Sequence, residues 1–167
     1  MSNYACVRTD KMSGTDVAKD LVSAKYMGSG STATAIENGN IVVIGGFLPN
    51  ERELRKATTP AANSALGTLA LVATPEVVKD KNFYTLGQFI NAANVPIRCY
   101  RFVSGDIFSV TVEALDHAAD IAVGDIVEAQ ADTKMKVVAQ ATGLTSGSTK
   151  IGTVLAIEGD WYVIEVA

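Results

Sequence analysis

The sequence predicts a mainly β fold: a small β-barrel or β-sandwich with an N-terminal β-hairpin or arm and little helix. Three observations carry that expectation. Thr, Val and Ile recur in short bursts separated by Gly, Asn, Asp and Ser, and β-branched side chains fit a pleated, half-buried surface. In Phe108-Ser109-Val110-Thr111-Val112 apolar and small polar residues alternate, the period of a strand buried on one face. From Leu66 onward such bursts follow one another with turn residues between them, the pattern of a sandwich or small barrel.

Residues 1–31 read as an N-terminal arm, partly flexible. Thr15-Asp16-Val17-Ala18-Lys19-Asp20-Leu21 has the makings of a helical turn, and Gly28-Ser29-Gly30-Ser31 breaks it. A β-rich domain then spans 32–167. It opens with a hairpin over 32–47, because Asn38-Gly39 between Thr34-Ala35-Ile36-Glu37 and Asn40-Ile41-Val42-Val43-Ile44 supplies the positive φ values of a tight turn. An exposed linker follows over 49–60. Its charges alternate in sign from Pro49 to Lys56, two acids against three bases, and Thr58-Thr59-Pro60 stops any helix there. The barrel or sandwich proper covers 66–167. Strands are expected at Thr68–Ala73, Ile97–Val103, Ile107–Glu113, Ile126–Ala129, Lys136–Ala141, Ile151–Ile157 and Trp161–Val166, the last as one strand of a terminal hairpin.

Composition narrows the function classes. The chain has 167 residues, 48% hydrophobic and 19% charged, with a formal charge of −4. That is enough for one domain with a full core and too apolar for a wholly disordered chain. A pI near 4.9 argues against nucleic-acid binding by phosphate neutralisation. The longest compact apolar stretch, Ile41-Val42-Val43-Ile44, is strand-sized, far below the roughly 18 residues of a membrane span. The start, Met1-Ser2-Asn3-Tyr4-Ala5-Cys6-Val7-Arg8, has no charged leader before an apolar run, so no secretory signal is expected. Cys6 and Cys99 are too few and too far apart for a disulfide framework, and are read as thiols, Cys99 buried in its strand. No metal and no cofactor are expected: neither cysteine has a Cys-x-x-Cys partner, and His117 is the sole histidine.

The search for catalytic residues yields none. Three Gly-Asp pairs, Gly105-Asp106, Gly124-Asp125 and Gly159-Asp160, each precede an apolar strand. They would form a site only if their carboxylates converged; turn chemistry is favoured, with Gly taking positive φ and Asp bonding nearby backbone. His117 lies in Leu115-Asp116-His117-Ala118-Ala119-Asp120, read as a loop. Gly143-Leu144-Thr145-Ser146-Gly147-Ser148-Thr149-Lys150 resembles a phosphate cradle in composition only and reads as a hairpin loop. Lys134, beside Met135 in Asp132-Thr133-Lys134-Met135-Lys136-Val137, is similar in flavour to the modified lysine of lipoyl and biotinyl carrier domains. That makes a carrier domain the alternative reading.

A more extended likeness lies between residues 70 and 112. Ala73-Thr74-Pro75-Glu76-Val77-Val78 is followed by Gly87-Gln88-Phe89-Ile90-Asn91-Ala92-Ala93-Asn94-Val95-Pro96-Ile97-Arg98-Cys99-Tyr100-Arg101-Phe102, then by Gly105-Asp106-Ile107-Phe108-Ser109-Val110-Thr111. In order, these pieces resemble the small head auxiliary virion proteins of tailed phages and prophages of Gram-positive bacteria, which are taken to decorate the capsid. Asn94 departs from that pattern, which has Gly after the Ala pair. The resemblance implies a non-enzymatic structural protein, made in the host bacterial cytoplasm and located on the outer capsid surface of the virion. Its partner would be the major capsid protein, which it would cement or decorate, as a homo-oligomer with a trimer favoured. A tail or baseplate component is the neighbouring alternative.

Overall fold

Alternating apolar and polar residues build twelve strands, joined by turns and one-turn 3-10 helices, with no α-helix among the described residues. The computed structural model describes residues 4–77, 86–117 and 119–167. Met1-Ser2-Asn3 of the expected arm, Val78 of the motif stretch and Ala118 of the expected His117 loop lie outside the described residues. The strands are β1 (Val7–Lys11), β2 (Leu21–Tyr26), β3 (Ile41–Phe47), β4 (Leu54–Thr58), β5 (Leu69–Val72) and β6 (Ile97–Arg101) in the first part. The second part holds β7 (Ile107–Val110), β8 (Leu115–His117), β9 (Ile126–Glu128), β10 (Met135–Val138), β11 (Lys150–Glu158) and β12 (Trp161–Val166).

Five strands close into a barrel in the order β2-β4-β3-β5-β6, with β6 returning to β2. So few strands leave a narrow interior, and the residues that fill it are mostly small: Val22, Ala24, Val42, Ala57, Ala70, Val72 and Cys99, with Ile44 and Ile97. The other seven strands form a curled sheet, β1-β7-β12-β11-β9-β10-β8. Phe108, Val110, Val127, Met135, Ile151, Val154 and Ile164 of this sheet join Ile41, Leu69, Leu71 and Tyr100 of the barrel in one shared core. β5 shows how one strand serves both spaces. Leu69 and Leu71 face the sheet, Ala70 and Val72 face the barrel interior, and all four are buried. A strand covered on both sides reads as a continuous apolar run. The Phe102 and Phe108 rings meet across the core with centroids 5.5 Å apart.

The mainly β, barrel-containing class is therefore what the residue pattern implies, while several local expectations are corrected. Within residues 1–31, Val7–Lys11 is the edge strand paired with β7, and Leu21–Tyr26 lies in the barrel between β4 and β6. The expected hairpin over 32–47 is not made. Gly39 does take φ +81°, but Ile36 bridges Asn91, and β3 pairs antiparallel with β4 and β5. The real hairpin is β3–β4, closed by the Leu48 N–H donating to Leu54 O at 3.0 Å. It converts the second half of the expected linker into strand. In β4 Ala57 points into the barrel while Arg55 turns outward over the Phe47 ring, 4.1 Å from its centroid. The strand expected to run to Glu113 stops at Val110 and gives way to a 3-10 turn, Val112–Ala114, leading into β8. The 143–150 loop joins β10 to β11 and is no hairpin, since β9 lies between those two strands. β11 and β12 do form the expected antiparallel hairpin, in close approach: a Cβ on Gly152 would collide with Glu165 O.

Candidate functional site

The three Gly-Asp pairs are the natural starting point, because carboxylates ahead of strands are where a polar site would be built. All three glycines take positive φ, +86° at Gly105, +94° at Gly124 and +61° at Gly159. Two of the pairs are the same device. Gly105 N–H donates to Val166 O and Val166 N–H to Asp106 O; Gly124 N–H donates to Val154 O and Val154 N–H to Asp125 O. Each turn thus clasps one strand of the β11–β12 hairpin, on opposite sides of it. The carboxylates are consumed by this role. Asp106 Oδ1 accepts from Ser13 N–H (3.0 Å) and Ser13 Oγ–H (2.6 Å), and Oδ2 from Val103 N–H (3.1 Å). Asp125 accepts from Ala122 N–H (2.8 Å) and Gln140 N–H (3.1 Å). Asp160 sits exposed in the β11–β12 turn. Among the described residues no three His, Cys, Asp or Glu side chains gather where they could hold a metal ion.

A cleft of about 320 Å³ runs beside β8 and β10, bordered by Asp116, His117, Asp120, Asp125 and Lys136. His117, expected in a loop, ends strand β8, and its Nδ1–H donates to Ala119 O at 2.8 Å. Lys136 turns instead to Glu128, with 3.0 Å between Nζ and Oε1, and donates to Thr145 Oγ1 at 3.0 Å. Glu128 is fully buried. Burial pushes its carboxyl up, but hydrogen bonds from Thr145 and Lys136 and the Lys136 charge outweigh burial and hold it below the ordinary carboxylate range. Of these charged groups, Asp125 and Lys136 anchor the 139–149 connection, through Gln140 N–H and Thr145 Oγ1.

Lys134 lies on the turn joining β9 to β10, half-buried, with its carbonyl accepting from Gln130 Nε2 at 3.2 Å. The turn is docked on the barrel: Thr133 O accepts from Ile41 N–H (2.7 Å) and Thr133 Oγ1 from Asn40 Nδ2 (3.1 Å). Cys6 and Cys99 are both buried and form no disulfide. Burial pushes the Cys99 thiol far up, with Arg101 offsetting only part of that, so it stays protonated in the barrel interior.

The surface offers a different kind of site. The seven-stranded sheet is open at both edges, β1 and β8. Leu155 and Ile157 on β11 are 46% and 40% exposed, and at the start of β12 the Arg8 guanidinium covers Trp161, 3.8 Å from the ring centroid. Phe47 stands out from the β3–β4 hairpin. Two associations escaped the sequence reading: the buried Glu128 with its partners Lys136 and Thr145, and the buried amides Asn38 and Asn91, which bond each other at 3.0 Å. Their partners lie up to 55 residues apart, so no local pattern announces them. No protein family model, no curated protein and no solved structure matches this chain.

Proposed function

We propose that this protein is a non-enzymatic structural component of a phage virion that binds the outside of the capsid and cements or decorates it. The observation that carries the reading is the open sheet. An otherwise closed, well-bonded fold leaves two strand edges and the exposed Leu155 and Ile157 available to a neighbour, and exposed edges are natural places for another chain to add. The likeness over residues 70–112 supports it from a second direction. Its residues lie where barrel and sheet meet: Tyr100, Phe102 and Phe108 in the shared core, Asp106 in a clasp. They fit a family whose common element is a scaffold, with function left to its surface.

The partner in this reading is the major capsid protein, and symmetric self-association, a trimer in particular, matches edges that must be covered. Mixing the purified protein with shells lacking it, then pelleting and imaging, tests the reading. Saturable binding at regular shell positions is expected. Bare shells at micromolar protein would reject it.

A further inference from the structure

The Asn38-Gly39 pair, which signals a hairpin in the sequence, has another chemistry. Glycine after asparagine leaves the backbone nitrogen unshielded by a Cβ. That nitrogen can attack Asn38 Cγ; the side-chain nitrogen takes up the proton and leaves as ammonia, closing a succinimide. Water then opens the ring to aspartate or isoaspartate, for a net gain of about 1 Da and one negative charge.

The fold holds every atom of that reaction away from it. Asn38 is 1% exposed. Its Nδ2 donates to Thr74 O and Glu76 Oε1, both at 2.8 Å, while its Oδ1 accepts from Thr74 N–H (3.1 Å) and Asn91 Nδ2 (3.0 Å). The would-be nucleophile, Gly39 N–H, donates to Val72 O at 2.8 Å, and Val72 N–H returns a bond to Asn40 O. The carboxamide is pinned on both sides and the attacking nitrogen is tied into the β3–β5 pairing. We propose that Asn38-Gly39 is a latent deamidation site, silenced by the native barrel and released when β3 and β5 part.

The product fits the same fold poorly. Aspartate at 38 would lose both donated hydrogen bonds and set a carboxylate against Glu76 and Thr74 O. Isoaspartate would add a backbone carbon next to Gly39, where even a Cβ would come within 3.2 Å of the Ala114 and Val110 side chains. The site therefore marks, irreversibly, any chain that has stayed open.

The test follows conversion at Asn38 by peptide mass mapping of the full chain, in native buffer and in concentrated urea at the same mildly alkaline pH. The exposed Asn63-Ser64 pair is the internal reference. Asn38 should convert at least about 100-fold more slowly in the native state than in urea, with Asn63 changing far less. A native rate at Asn38 within about threefold of its urea rate would overturn the silencing. The Asn38→Asp variant tests the one-way claim. It should either fail to fold or melt well below the wild type, and a wild-type melting temperature would overturn it.

Discussion

Inside the barrel the space is filled mostly by alanines, valines and a cysteine, with Tyr26 and three isoleucines among them, whereas across the shared core the sheet contributes phenylalanine and methionine beside its isoleucines and valines. The barrel has no edge, and its size is fixed by strand number and tilt, so its side chains must fit a volume already set. The curled sheet has two edges and can adjust its curvature, so there the large side chains set the spacing. The two regions should therefore fail in opposite ways, the sheet on losing volume and the barrel on gaining it.

The largest effect is expected from Phe108→Ala, which empties the centre of the shared core. It should cost about 3–5 kcal/mol in urea unfolding, and a cost below about 1 kcal/mol would show that the sheet closes over the cavity. Next comes Ala24→Leu inside the barrel, where Ala24 is fully buried. Overpacking should cost about 1–3 kcal/mol; a neutral result would mean that the interior has room to spare and the comparison fails. Because the core is shared, each variant should shift one cooperative transition, and a second transition would split the molecule into independent halves.

The clasps sharpen the comparison within the sheet. Asp106→Ala strips acceptors from Ser13 and Val103, and Asp125→Ala from Ala122 and Gln140. Each should cost about 1–3 kcal/mol for the bonds lost at a buried aspartate, while Asp160→Ala at the exposed turn should stay within about 0.5 kcal/mol. Equal losses at all three would refute the division between clasps and simple turn. The smallest effect is a pH slope. The Glu128 carboxyl is held below its ordinary value in the fold, so its contribution is complete above the unfolded pKa of about 4.3 and is lost as pH falls through the folded one. Glu128→Gln should flatten that part of the acid stability curve relative to wild type, and an unchanged slope would remove the Lys136 pairing from the account.

Legibility from sequence cut across that division, since β5 and β6 of the barrel were as readable as most of the sheet and β1 of the sheet was not. β7, β9 and β12 stand where alternation and turn residues place them, and the two clasps are the Gly-Asp turns ahead of them. β1 and β4 are different. Val7-Arg8-Thr9-Asp10-Lys11 and Leu54-Arg55-Lys56-Ala57-Thr58 are polar because one lies at an edge and the other turns only Ala57 fully inward. β3 and β5, covered on both faces, look apolar, whereas β4 has one face in solvent and needs only Ala57 inside. The 32–47 region misled for a further reason: Asn38 spends its side chain on residues at 74, 76 and 91, and a long-range choice of partner leaves no local trace. The candidate site was legible only as an absence of catalytic pattern, since open edges are a property of strand order.

The pairing of β2 with β6 and of β1 with β7 also sets a clock. Val7 meets Val110, so at synthesis rates of about 5–20 residues per second β1 waits on the order of 5–20 s for its partner to be made. β2 gains β4 after about 30 residues, but the barrel closes only when Tyr100 arrives to meet Leu21. During that wait Val22 and Ala24 have no barrel to enter. The seven-stranded sheet cannot start from its N-terminal edge, and the growing chain carries β1 in search of a partner long before one exists.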